Sequence, residues 1–201
     1  FLGCNTLEAV AFSKALIEIQ SEAFAECDSL RHVRIPASVR TIGNLAFYNA
    51  WVETLEFEDG IQLETISYLS FSGTALKRLK LPDSVRTLEY GAFSNSHFLT
   101  EVELNEGLTS IGSGAFYGVD RLKEIVIPKT VTEVTEMEFD GCFALRAIYF
   151  DGNAPETFEY RNEISGLQKP SYGGLRLTIY YHEGATGFAP SLWYGYPTAI
   201  W

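Results

Sequence analysis

The side chains best suited to chemistry in this chain are three cysteines, Cys4, Cys27 and Cys142, and three histidines, His32, His97 and His182. A thiolate is a nucleophile or a metal ligand, and an imidazole is a general base or a metal ligand. Either role needs partners at a fixed spacing. No His-x-x-x-His, Cys-x-x-Cys or Gly-x-Ser-x-Gly pattern is present. The glycines between Gly107 and Gly118 are dense, but they do not follow a strand and open a helix as a phosphate-cradling loop would. The expectation is no catalytic residue, no metal site and no cofactor. A different chemistry is open to the aromatic tail, Tyr180, Tyr181, Trp193, Tyr194, Tyr196 and Trp201. Such rings can stack on sugar rings, or they can seal a hydrophobic core.

What positions these residues is a repeat. Phenylalanine recurs at Phe1, Phe24, Phe47, Phe71, Phe93, Phe116 and Phe139, at intervals of 22 to 24 residues. Alanine precedes it at Ala23, Ala46, Ala92 and Ala115. A few residues later comes an apolar-x-x-apolar-x-apolar run, as in Leu30, Val33, Ile35 and again in Leu122, Ile125, Ile127. Its last two apolar positions alternate with polar ones, which is strand periodicity. Pro36, Pro82 and Pro128 then stop the strand. A third apolar pair, such as Val39 with Ile42 or Leu108 with Ile111, lies between strand and anchor, and Gly43 and Gly112 follow two of these. Each unit therefore carries three apolar ridges. One unit cannot bury them, whereas stacked units can, and this is the logic of a solenoid.

The register places the chemistry. The three cysteines fall in one slot of the unit, which elsewhere holds Ala50, Thr74, Ser96 and Val119. Small residues throughout indicate a tight interior position, so the cysteines read as inert. Cys4 and Cys27 lie in adjacent units, which leaves a disulfide between them open. The histidines lie at different positions of the unit, far apart along the axis. The residue between the last two apolar ridges points outward: Ala11, Arg34, Glu56, Lys80, Glu103, Val126 and Tyr149. Its charge alternates from Arg34 to Glu103. Two readings stay open for this row, a recognition stripe and cross-strand pairing that neutralises itself.

The unit Leu-x-x-Val-x-Ile-Pro-x-x-Val-x-x-Ile-Gly-x-x-Ala-Phe, from Leu30 to Phe47, resembles the BspA-like leucine-rich repeats of bacterial surface proteins. Leu76 to Phe93 and Leu122 to Phe139 repeat it, and Phe-x-x-Cys at Phe1, Phe24 and Phe139 is a further likeness. The resemblance covers about three quarters of the chain. It implies a leucine-rich-repeat solenoid in a right-handed coil, mainly β with short helical or irregular segments, and a parallel strand ladder on one face. It also implies an extracellular or cell-surface location and no catalytic site, and some members of the family are adhesins.

The expected organisation is one domain with two regions. Residues 1–150 hold the repeats, beginning with the end of a broken one, so that further units are expected upstream. Residues 151–201 hold an irregular loop, a final strand from Leu175 to Tyr181 and an aromatic C-terminal cap. The formal net charge of -11 repels phosphate backbones, which argues against nucleic acid. No run approaches the roughly 20 apolar residues of a membrane span. The functional expectation is a non-catalytic, adhesin-like protein-interaction module, monomeric, with an unknown protein or glycan of a host or bacterial surface as partner. A carbohydrate-binding module built on Tyr180, Trp193, Tyr194, Tyr196 and Trp201, or a stalk spacing another domain from the cell surface, are the alternatives. The partner site is expected to centre on Tyr149 and the loop after it rather than on the alternating charges.

Overall fold

The computed structural model describes residues 1–134, 139–158, 177–193 and 196–201. In chain order its strands are β1 (Glu18–Ile19), β2 (His32–Ile35), β3 (Thr41–Ile42), β4 (Thr54–Phe57), β5 (Thr65–Ile66), β6 (Arg78–Lys80), β7 (Thr87–Leu88) and β8 (Glu101–Glu103). They continue with β9 (Ser110–Ile111), β10 (Glu124–Ile127), β11 (Glu133–Val134), β12 (Ala147–Phe150), β13 (Thr157–Phe158), β14 (Thr178–Tyr181), β15 (Leu192–Trp193) and β16 (Tyr196–Ile200). The chain is a parallel-strand solenoid of about seven turns, and the described residues contain no helix.

The even-numbered strands make the main ladder, with parallel pairs β2–β4, β6–β8, β10–β12, β12–β14 and β14–β16. The apolar ridge alternates inward as the periodicity requires: Val33 and Ile35 are buried while His32 and Arg34 are exposed. The short odd-numbered strands β1 to β13 form a second ladder built from the third apolar pair. A ladder on one face was expected, and the second one is additional. Its strands are only two residues long, so no alternation announces them. The main ladder also runs past Phe150, through β14 to β16, without any further repeat motif. Most of the loop expected after Asp151, and the start of the strand expected from Leu175, lie outside the described residues.

The anchors form the spine of the core. Consecutive rings from Phe1 to Phe139 stack at centroid separations from 5.1 to 6.3 Å, and no two planes differ by more than 10°. Phe47, Phe71, Phe93 and Phe116 are completely buried. The backbone around each anchor explains how the coils stay in step. The residue two positions after the anchor has a positive φ in every unit: Gly3, Glu26, Asn49, Gly73, Asn95, Gly118 and Gly141. This turns its N–H along the solenoid axis. Asn49 N–H donates to Ser72 O at 2.8 Å, and Asn95 N–H donates to Tyr117 O at 2.6 Å. The anchor N–H groups do likewise, as Phe47 to Ser70 O and Phe71 to Ala92 O show. The turns thus add a third row of inter-coil hydrogen bonds, and the buried backbone polar groups find partners there.

Glycine serves a different purpose at Gly112, where an added Cβ would lie 2.7 Å from Leu88 O on the previous coil. Two positions after the anchor φ is a constraint too, and at Gly118 an added Cβ would also meet Asn95 Oδ1 at 2.8 Å. Left-handed backbone costs a non-glycine residue about 1–2 kcal/mol, and glycine's extra unfolded-state freedom offsets about 0.5–1 of that. Exposed Glu26, at φ 58°, should therefore gain about 0.5–1 kcal/mol on Glu26→Gly. Buried Gly118, at φ 70°, should lose at least about 1 kcal/mol on Gly118→Ala. Urea midpoints of the two variants should move in opposite directions, and a shift of both in one direction would contradict this role of the turn.

Candidate binding surface

The outward row changes character along the axis. In the middle coils it is charged and self-satisfied. Arg34 faces Glu56 in the ladder register but turns its guanidinium to Glu58, at 3.3 Å. Lys80 reaches Glu103 at 2.8 Å, and beside them Arg78 reaches Glu101 at 3.1 Å. The hydrogen bond and charge of Glu103 hold the Lys80 ammonium above the ordinary lysine range. These pairs are solvent-exposed and contribute little to stability, but they neutralise the strip.

From β10 onward the row becomes apolar and aromatic. Val126 is exposed and lies opposite Tyr149, which lies opposite Tyr180, which lies opposite Ala199. The Tyr149 and Tyr180 rings stack at 4.8 Å. Trp201 leans against Tyr149 at 4.7 Å and stacks on His182 at 4.8 Å. Strand parity accounts for this gathering. With Ile148, Phe150, Ile179 and Tyr181 directed to the core side, Tyr149, Asp151, Tyr180, His182 and Trp201 fall outside. His182 Nε2 and Asp151 Oδ1 are 2.9 Å apart. Partial burial away from water raises the Tyr149 phenol above its ordinary range, with smaller contributions from Glu124 and Tyr180.

The other tail aromatics face the opposite way. Trp193 is buried at 5% exposure, edge-on to Phe150 at 5.7 Å and 4.9 Å from Phe188. Its indole N–H donates to Gly187 O at 3.0 Å. Tyr181 stacks on Phe188 at 4.7 Å, and half-buried Tyr196 packs against the same core. The tail expected as one group is therefore divided. Trp193 and Tyr196 lie against the end of the core, Tyr180 and Trp201 lie on the outward face, and Tyr194 lies outside the described residues. The short strand β15 runs antiparallel to β16 and ends the sheet. It covers the start of β16, at Tyr196 and Pro197.

Two features had no counterpart in the sequence reading. One is the His182–Asp151 pair, hidden because His182 lies beyond the last repeat motif. Beside it opens a shallow cleft of about 550 Å³, lined by Lys129, Thr132, Asp151, Asn153, Glu156 and Thr186. The other is a flank where Trp51 and Phe98 meet at 5.8 Å. Arg31 lies over Trp51 at 5.6 Å, and Arg121 lies over Phe98 at 5.1 Å. There the chain's own guanidiniums already occupy the ring faces.

The model of the BspA-type leucine-rich repeat region matches residues 1–63 and 41–165, in six copies. The chain belongs to the BspA-type leucine-rich repeat family. Among solved structures, a leucine-rich repeat protein from Bacteroides ovatus is similar, with TM-score 0.65 and 23% identity over 89% of this chain and 50% of that one. A leucine-rich repeat protein of T. pallidum is 28% identical over 72% of this chain and 58% of that one, with TM-score 0.46. The pneumococcal vaccine antigen PcpA is 19% identical over 85% of this chain and 55% of that one, with TM-score 0.45. This chain thus spans about half the length of the structures it resembles. No curated protein matches it. The family is of bacterial cell-surface type.

In this BspA-type chain the cysteine slot works as a donor slot. The thiols of Cys27 and Cys142 donate to Phe1 O at 3.3 Å and Phe116 O at 3.2 Å, the anchor carbonyls of the preceding coil. Ser96 Oγ reaches Phe71 O in the same way at 3.4 Å, and Thr74 Oγ1 donates within its own coil to that carbonyl at 3.0 Å. All three cysteines are free thiols, so the Cys4–Cys27 bridge is absent. Burial pushes the Cys142 thiol up to about 12 and raises Cys27 above its ordinary value. The thiolate is the reactive form. A thiol reagent at pH 8 should therefore label half-exposed Cys4 in the folded chain, and Cys27 and Cys142 only on unfolding. Fast native labelling of Cys142 would contradict its burial.

Proposed function

We propose that the chain is a non-catalytic recognition module, displayed at a bacterial cell surface in the manner of an adhesin, with its partner site on the outward face of β12, β14 and β16. One observation carries this reading: the outward row passes from exposed ion pairs at Lys80–Glu103 to an aromatic cluster at Tyr149, Tyr180 and Trp201. A self-neutralised strip offers a partner no net field. A half-exposed aromatic cluster on a rigid ladder offers desolvation energy with little ordering cost, which is the composition of binding hot spots. The sequence expectation had placed the site at Tyr149 and the loop after it, with Arg34, Glu56, Lys80, Glu103 and Val126 as further candidates. The proposed site retains Tyr149 and adds Tyr180, His182, Asp151 and Trp201. It does not include Arg34, Glu56, Lys80 or Glu103.

The test is adhesion. Beads coated with the chain should attach to cultured epithelial cells or to whole bacterial cells, and free chain in excess should compete them off. Attachment no better than that of uncoated beads would overturn the reading and favour the stalk.

A further inference from the structure

We propose that the shelf formed by Tyr149, Tyr180, His182 and Trp201, with the cleft that Asp151 shares with it, binds neutral pyranose glycans. The proposal rests on the reading that this face is the binding face, and it names the ligand class. A pyranose in its chair form presents a flat array of C–H groups on one face and hydroxyls around its edge. The first needs an exposed aromatic plane, and the second needs acceptors and donors at the rim of that plane. Trp201 provides a half-exposed indole, held against Tyr149 and His182 at 4.7 and 4.8 Å. Because the ring is already braced, a sugar stacking on it would order little else. At the rim, Asp151 Oδ1 and His182 Nε2 bond each other at 2.9 Å, which leaves Oδ2 and Nδ1 to meet hydroxyls. A carboxylate accepts from hydroxyls, and an imidazole nitrogen can either donate to one or accept from one. Two polar groups side by side match the two neighbouring hydroxyls of a sugar.

The cleft extends the same logic to a second residue of a chain. Asp151 lines it together with Thr132, Asn153 and Thr186, all of them hydroxyl-matching groups. Its wall is stiff, because Ala154 N–H donates to Thr186 O and Thr186 N–H donates to Asn153 Oδ1, each at 2.9 Å.

Size and charge decide between ligand classes. Strands β12 and β16 are two ladder steps apart, so the shelf is about 10 Å across, wide enough for one or two sugar rings. A stable protein interface needs about 800 Å² on each partner. The strip that would have to supply the remainder is the self-paired row of charges. The charges of the cleft, Lys129 against Asp151 and Glu156, leave no cationic excess to hold a carboxylate or sulfate. The formal net charge of -11 adds to the exclusion of acidic glycans.

The experiment uses the whole chain, labelled at its amino groups, on an array of neutral β-glucan, galactan and mannan oligosaccharides with sialylated and sulfated glycans beside them. Trp201→Ala and the pair Lys80→Glu with Glu103→Lys are run in parallel, and so is adhesion of beads carrying each chain. Expected is binding confined to neutral hexopyranosides, unchanged in the charge-reversed pair and weakened about tenfold or more in Trp201→Ala. Because Trp201 is exposed, that variant should keep the melting temperature of the parent. Binding only to sialylated or sulfated glycans would overturn the proposal. So would binding to no glycan while bead adhesion persists and still depends on Trp201; that outcome leaves the face intact and makes its partner a protein. Neutral-glycan binding that survives Trp201→Ala would overturn the site. Bead adhesion that ignores Trp201 would overturn the face as well.

Discussion

Phe93→Ala should lower the free energy of unfolding by about 3–5 kcal/mol, the usual range for deleting a large buried side chain. Phe93 is completely buried and stacked on Phe71 at 5.5 Å and on Phe116 at 6.0 Å. Its removal leaves a void that neither neighbour can fill, since each ring is held by hydrogen bonds of its own turn to the next coil. A solenoid is stabilised by intrinsic terms and by nearest-neighbour interfaces. A gap in mid-stack therefore weakens two interfaces at once and uncouples the halves of the array. The unfolding transition should broaden as well as shift, because cooperativity depends on that coupling. An unchanged midpoint would mean that the ring stack is not what binds coil to coil.

Trp193→Ala should have an effect of similar size, about 3–5 kcal/mol, but confined to one end. Trp193 packs on Phe150 and Phe188 and donates its N–H to Gly187 O. Without it the last coils lose their cover and expose Phe150 and Ile179, which are buried in the intact chain. Hydrogen exchange should quicken in β12, β14 and β16 while β2, β4 and β6 keep the protection of the parent. A uniform loss of protection along the whole chain would argue against a local cap. This variant also separates sealing from recognition, since Trp193 lies inside the core edge and Trp201 lies outside it.

Much of the architecture was legible in the residues, and the limits have physical causes. The 22–24 residue recurrence of phenylalanine and the Leu-x-x-Val-x-Ile run place the coils and the main ladder, because burial in stacked units demands a fixed period. The outward assignment of Arg34, Lys80, Val126 and Tyr149 follows from strand parity. The left-handed residue two positions after each anchor was not legible, since Glu26 occupies it as readily as Gly73 or Asn49. Inter-coil hydrogen bonding, and not side-chain preference, sets the backbone there. Two-residue strands such as Thr87–Leu88 carry no alternation to read. The ion partner of Arg34 was displaced by one outward position, from Glu56 to Glu58, because a long side chain chooses among several neighbours. The tail was least legible. With no repeat motif after Leu145, nothing in the sequence says which way Trp193 and Trp201 face. Only pairing of Tyr149 with Tyr180, and of Tyr180 with Ala199, resolves it.

The claim that recognition belongs to the last coils, and not to the charged middle, comes down to one comparison. Beads carrying Trp201→Ala, and beads carrying Lys80→Glu with Glu103→Lys, are counted on the same cells under the same flow. The reversed pair keeps its mutual attraction, and the repulsion it adds beside Glu56 is small between exposed groups, so the scaffold should stay folded. Attachment at the background level for Trp201→Ala, and at the parental level for the reversed pair, is the expected result. Parental attachment for Trp201→Ala, with loss in the reversed pair, would contradict the account and put the site on the charged ladder.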